Sequence, residues 1–196
     1  MVEHMRFYQE LLKERDLVAS EPAIDHPRPT PSLEANPYVG VKVCGECHKS
    51  ALEVWKTSKH ANATESLKTG RPEQTKPFIN RMFDPECICC HVTGWDPQKV
   101  IRYKSGYADE KSTPHLTGQQ CENCHGPGGR HTELERLVAK EQKVTDNVKA
   151  WRKYLRLNKK TAFDLCVKCH DPDNDPKFKT ETFDDYWEEI DHPGKD

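Results

Sequence analysis

Eight of the nine cysteines fall in pairs spaced C-x-x-C, and a histidine follows each pair at once. The units are Cys44-Gly-Glu-Cys47-His48, Cys87-Ile-Cys-Cys90-His91, Cys121-Glu-Asn-Cys124-His125 and Cys166-Val-Lys-Cys169-His170. Two thiols at this spacing reach the two vinyl groups of one porphyrin, and the adjacent imidazole ligates its iron, so C-x-x-C-H is the attachment signature of c-type haem. The units predict four covalently bound haem c groups, with His48, His91, His125 and His170 as iron ligands. A pair of zinc ribbons would use the same cysteine spacing. It would not call for a histidine after every pair. A disulfide framework needs no histidines at all.

The remaining histidines sort by position. His115 lies six residues before Cys121, and His131 lies six residues after His125. One haem accepts two axial ligands, so three histidines in so short a stretch serve more than one haem. His60 shares a helical-wheel face with Leu52, Ala63 and Leu67 within about 80°, and beside four haems it reads as a distal ligand. His4 and His26 read as solvated. Cys89, the odd cysteine, reads as a buried, inert thiol.

Only 34 % of the 196 residues are hydrophobic, below the usual range for a globular domain. Such a chain is either disordered or builds its interior from large apolar cofactors, and the cysteine units favour cofactors. The formal net charge of −2 gives no argument for nucleic acid or an anionic membrane surface. No apolar run approaches the ~20 residues of a transmembrane helix, and no apolar signal core opens the sequence. Covalent haem attachment takes place outside the cytoplasm, so a periplasmic or extracellular protein is expected, its leader removed or lying upstream.

The elements that must position these groups read as mainly α with extensive loops and little β. Residues 3–19 form an amphipathic helix with Phe7, Leu11, Leu12 and Val18 on one face. Residues 20–37 hold five prolines and form an extended linker. The expected division is therefore a 1–37 extension and a 38–196 haem domain. The helix of the extension is either a docking arm for a partner or a strut on its own domain. After the first unit, good helix formers run unbroken to Gly70. Residues 70–86 form a loop-rich passage, and 100–103 (VIRY) one short strand. Gly126, Pro127, Gly128 and Gly129 turn the chain tightly. One long helix follows His131, with Thr132 as its cap and Glu135 as the box partner. The acidic, aromatic tail with Tyr186 and Trp187 is solvated or packs back.

The stretches YVGVKVCGECH, VWKTSKHA and HLTGQQCENCHGPGG resemble the tetrahaem cytochrome c-554 family over residues 38–175. That resemblance implies a largely helical fold wrapped around four closely packed haems. It implies His115 as distal ligand to the first haem, His60 to the third and His131 to the fourth, with the second haem, that of His91, left five-coordinate. It also implies an electron carrier, like the family members that take electrons from hydroxylamine oxidoreductase in ammonia oxidisers. The expected function is electron relay between a redox protein donor and acceptor. One rival is reduction of a small nitrogen compound at the His91 haem. The other is a subunit of a cytochrome filament or larger redox complex, self-assembling through the N-terminal arm, with His4, His26 or His192 reaching the second iron.

Overall fold

Short helices and long connections carry the chain, as a sequence this poor in hydrophobic residues requires. The structure, a computed structural model, describes residues 2–70 and 77–193; part of the expected 70–86 passage lies outside them. The helices are α1 (Val2–Arg15), α2 (Leu17–Ser20), α3 (Val41–Cys44), α4 (Lys49–Thr57), α5 (Ala63–Thr69), α6 (Pro85–His91), α7 (Cys121–His125), α8 (Gly129–Glu141), α9 (Asp146–Tyr154), α10 (Lys159–Cys166) and α11 (Phe183–Glu188). Strands β1 (Trp95–Asp96) and β2 (Ile101–Arg102) pair antiparallel. β2 is the strand expected at 100–103, shortened because Val100 turns at φ 52°.

Among the described residues three small apolar clusters hold these pieces. The largest gathers Val18, Leu67, Ile88, Val92, Trp95, Tyr107 and Leu116. A second joins Leu134, Val148, Trp151 and Tyr154 between α8 and α9. The third packs Ala162 against Phe178 and Phe183.

The N-terminal helix breaks at Asp16, which sits in the left-handed region at φ 47°. The break turns Val18 into the main cluster beside α6. Leu12 is buried too, but Phe7 is 61 % exposed and Gln9 takes the inner face instead. Gln9 Nε2 donates to Asp84 Oδ2 at 2.9 Å, and Asp84 caps α6 by accepting from the Glu86 N–H. Ile24 then adds a backbone bridge to Tyr103. The extension is thus tied to the rest of the chain along its length.

Two expected helices divide. The one after the first haem unit ends at Ser58, whose backbone is extended at ψ 158° and whose hydroxyl closes the turn on the Trp55 carbonyl at 2.7 Å. A 3-10 turn, Lys59–Asn62, follows and carries His60. The long helix expected after His131 is two. α8 begins at Gly129, three residues before the expected Thr132 cap, so Thr132 is already inside it. It ends at Gln142, left-handed at φ 56°. Thr145 caps α9 by accepting from the Val148 N–H. Glu135, expected as a box partner, instead bridges both helices through paired bonds to Arg152 at 2.7 and 2.8 Å. The turn buries Trp151, which a single straight helix would leave without partners. No helix among the described residues is long and apolar enough to cross a membrane.

Candidate haem centres

Each C-x-x-C-H unit folds as a helical turn, either within α6 and α7 or at the ends of α3 and α10. The His48 N–H bonds the Cys44 carbonyl and the His170 N–H bonds the Cys166 carbonyl, both at 2.9 Å. Residues three apart on such a turn share a face, so both thiols of a unit point the same way. All nine cysteines are free thiols. The Cys44 thiol bonds that of Cys121, and the Cys90 and Cys169 thiols meet likewise. Burial pushes Cys124 up to about 12, with Cys166 adding to the effect. The first unit therefore adjoins the third, the third the fourth, and the fourth the second. Among the described residues no group of three or more Cys, His, Asp or Glu converges on one metal point. The cysteine pairs are therefore not gathered into the cluster that a zinc ribbon needs.

The histidines form facing pairs. The rings of His48 and His131 lie 6.5 Å apart between centroids, those of His60 and His170 6.0 Å, and those of His125 and His192 6.0 Å. Two imidazoles on opposite sides of one metal have centroids about 6.3 Å apart, given metal–nitrogen bonds of about 2.0–2.1 Å. Each pair joins the histidine of one C-x-x-C-H unit to a histidine from elsewhere in the chain.

Hydrogen bonds orient the rings. Nδ1 of His125 contacts the Leu155 carbonyl at 2.7 Å, Nδ1 of His192 the Ile190 carbonyl at 2.8 Å, and Nδ1 of His170 the Asp175 carboxylate at 2.8 Å. Nδ1–H then donates, and Nε2 is left with a free lone pair for a metal. Burial lowers the His60 pKa to about 4, with His170 adding to the shift. It also lowers His125 and His131. Neutral imidazole is the form that ligates iron, so these surroundings fit the haem that the cysteine units imply.

His91 differs. Its Nδ1 contacts the Ala63 carbonyl at 2.7 Å, but among the described residues no second ring faces it. The partners also differ from those the resemblance implies. His131 faces His48, the first unit, rather than the fourth. His60 faces His170, the fourth, rather than the third. His115 is exposed on a 3-10 turn and faces no other ring among the described residues; its carbonyl sits against Gly40, where a Cβ would approach to 2.6 Å. It lines a cavity of about 710 Å³ with Gly45, Leu52 and Trp55 beside the first unit.

Sequence reasoning missed His192 as a partner of His125, naming it only as a candidate ligand of the second iron. Its signal was weak, an isolated histidine near the end of the chain. α11 packs Phe183 into the third cluster, and a turn returning the Asp191 N–H to the Trp187 carbonyl at 2.8 Å carries His192 back to His125. Asp175 was also missed. His26 is not solvated as expected: it is partly buried 4.8 Å from Tyr103, and burial lowers its pKa to about 4, helped by Arg28 and Lys168. His4 is exposed, and Cys89 is buried with its thiol 3.3 Å from the Glu86 carbonyl.

Residues 43–126 match the family described as cytochrome c554 and c-prime. The chain is 38 % identical over 125 residues to cytochrome c-554 of Nitrosomonas europaea, covering 58 % of this chain and 51 % of that protein. It is 27 % identical over 128 residues to the dissimilatory sulfite reductase MccA of Wolinella succinogenes, covering 59 % of this chain and 18 % of that one. The chain thus spans about half the length of the first relative and a smaller share of the second. The solved structure of reduced cytochrome c554 from N. europaea superposes with a TM-score of 0.51 at 29 % identity, covering 80 % of this chain and 84 % of the other.

Proposed function

We propose that this chain, which is similar to the cytochrome c554 family in sequence and in fold, is a member of it and relays electrons between a redox protein donor and acceptor through four covalently bound haems. Three of these are ligated by two histidines. One observation carries the reading: three unit histidines each face a second imidazole at 6.0–6.5 Å. The haem supplies one-electron exchange at iron. The chain's own residues do the rest. The cysteines Cys44, Cys47, Cys87, Cys90, Cys121, Cys124, Cys166 and Cys169 hold the porphyrins. His48 with His131, His125 with His192 and His170 with His60 would each hold one iron between two imidazoles, and an iron so held would have no site for a small substrate. Thiol contacts between units bring neighbouring centres close, in the order first, third, fourth, second. A periplasmic or extracellular site of action follows from haem attachment.

Mass spectrometry of the mature protein is expected to show four haems, and electron paramagnetic resonance three low-spin centres. His192→Ala is expected to convert one of them to high spin. A count below four, or an unchanged spectrum in that variant, would overturn the reading.

A second reading rests on His91, whose ring faces no other imidazole among the described residues. An iron open on one side can bind a small nitrogen compound and reduce it. Nitric oxide titration that left the spectrum unchanged would remove this reading. Self-assembly through residues 1–37 draws no support from the packing, since Val18 and Leu12 are buried against this chain's own domain.

A further inference from the structure

The ring nitrogens do not all meet the same kind of acceptor. Backbone carbonyls receive Nδ1 of His91, His125 and His192. Nδ1 of His170 meets a carboxylate, Asp175 Oδ2, at 2.8 Å. Glu135 stands 3.6 Å from Nδ1 of His131, beyond hydrogen-bond range.

The local fold places that carboxylate deliberately. After His170 the chain reads Asp171-Pro172-Asp173-Asn174-Asp175. Asp171 Oδ1 accepts the N–H groups of Asp173 and Asn174 at 2.9 and 2.8 Å, and the Asp175 N–H returns to the Asp171 carbonyl at 2.7 Å. This Asx turn folds Asp175 back toward His170. Its second oxygen, Oδ1, accepts from the Tyr186 hydroxyl at 3.1 Å. Phe178 stacks on the His170 ring at 5.1 Å, and Tyr186 meets it edge-on at 5.5 Å. Both side chains of the pair are largely covered, 29 % exposed for His170 and 25 % for Asp175, so solvent screens the charge incompletely.

A carboxylate on the far nitrogen of a ligating imidazole draws its proton away and raises the basicity of the metal-bound nitrogen. A more basic ligand, with a negative charge behind it, favours ferric over ferrous iron. We infer that Asp175 is a positioning residue that acts through His170 to make the fourth haem harder to reduce than the haems of His48 and His125. The inference rests on the tetrahaem reading. An electron placed on the fourth haem then runs downhill to the third.

Spectroelectrochemical titration of the mature holoprotein tests this. His60→Ala marks the fourth haem, which should then be the one that turns high-spin. Asp175→Asn keeps an acceptor oxygen and removes the charge. At the wild-type midpoint of that haem, the variant is expected to shift the reduced-to-oxidised ratio about tenfold toward reduced, equivalent to about 59 mV for one electron. The other three midpoints should stay in place. Tyr186→Phe removes the donor that spreads the Asp175 charge, so the same haem should move in the opposite direction. A role in packing alone would not give shifts of opposite sign. Unchanged midpoints in Asp175→Asn, or an unchanged or upward midpoint in Tyr186→Phe, overturn the inference. Where Asp175→Asn fails to incorporate haem, Tyr186→Phe decides alone. A wild-type count below four haems defeats the tetrahaem reading instead, which keeps the two failures apart.

Discussion

Glu122 lies inside the third C-x-x-C-H unit and is 2 % exposed. Its carboxylate accepts from the N–H groups of Val39 at 3.1 and 3.0 Å, Gly40 at 2.7 Å and Gly128 at 2.8 Å. Val39 and Gly40 lead into α3 and the first unit, and Gly128 leads into α8 and His131. One side chain therefore joins the first and third haem segments. Burial pushes its pKa up, and the three backbone donors pull it back. Replacement by alanine strands three buried donors. Each stranded donor costs about 1–3 kcal/mol, and water entering the vacated space recovers part of that. The expected loss is about 3–5 kcal/mol, in line with removing one partner of a buried charged network. Glutamine keeps one acceptor oxygen but turns an NH₂ toward backbone N–H groups, so it should lose about 2–3 kcal/mol. Guanidinium unfolding of the holoprotein, followed by the Soret band and far-ultraviolet circular dichroism, measures both. A loss under about 1 kcal/mol in both variants would show that the clamp is incidental and refute the argument.

Two further perturbations test other parts of the fold. His26 stays neutral in the folded chain down to about pH 4 because burial and then Arg28 disfavour its charge. The unfolded chain takes that proton near the ordinary imidazole value of 6.5. Between these values the unfolded state binds more protons, so stability falls as pH drops from 6.5 toward 4, by about 1.4 kcal/mol per pH unit. His26→Asn, with an oxygen to accept the Arg28 N–H, should lack this component; parallel unfolding curves for both proteins from pH 7 to 4.5 would contradict it. Gly106→Ala would set a Cβ 2.1 Å from the Gly94 carbonyl oxygen and 2.9 Å from that of Tyr103. Backbone must move to admit it, and a loss of about 2–3 kcal/mol is expected, read as a lower thermal midpoint; an unchanged midpoint would contradict the close approach.

The haem units were legible because their chemistry is local: two thiols and an imidazole within five residues on one helical turn. The distal partners were only partly legible, because each depends on tertiary packing. His131 and His60 were expected as ligands, yet nothing in their spacing says which unit they face. His131 reaches His48 because α8 starts at Gly129, a position pressed so close to Pro37 that a Cβ would fall 2.6 Å from its ring. A glycine-rich turn announces freedom, and the direction it takes is set by the segment it touches, 92 residues earlier in the chain. His192 was harder still, since its placement follows from the aromatic packing of α11. The division of the long helix at Gln142 had no strong breaker to announce it. The left-handed turn is stabilised by the contact it allows between Leu134 and Trp151.

The placement of both chain ends follows from the same shortage of hydrophobic residues. Among the described residues the three apolar clusters are small, and each meets a different haem segment: Ile88 lies within the second unit, Tyr154 beside the third and Phe178 beside the fourth. These clusters do not merge into one core, and other segments cross between them. The N-terminal extension crosses first. Arg28 stacks on Tyr154 at 4.3 Å and donates to the His125 carbonyl at 3.0 Å, while Asn36 Nδ2 reaches the Pro127 carbonyl at 2.6 Å. The C-terminal segment crosses from the other side, bringing His192 to the ring of His125. The third unit, central in the sequence, is therefore where the two ends meet. A proline-rich extension and an acidic tail, each readable alone as solvated surface, act as straps that substitute for the continuous apolar core this composition cannot build.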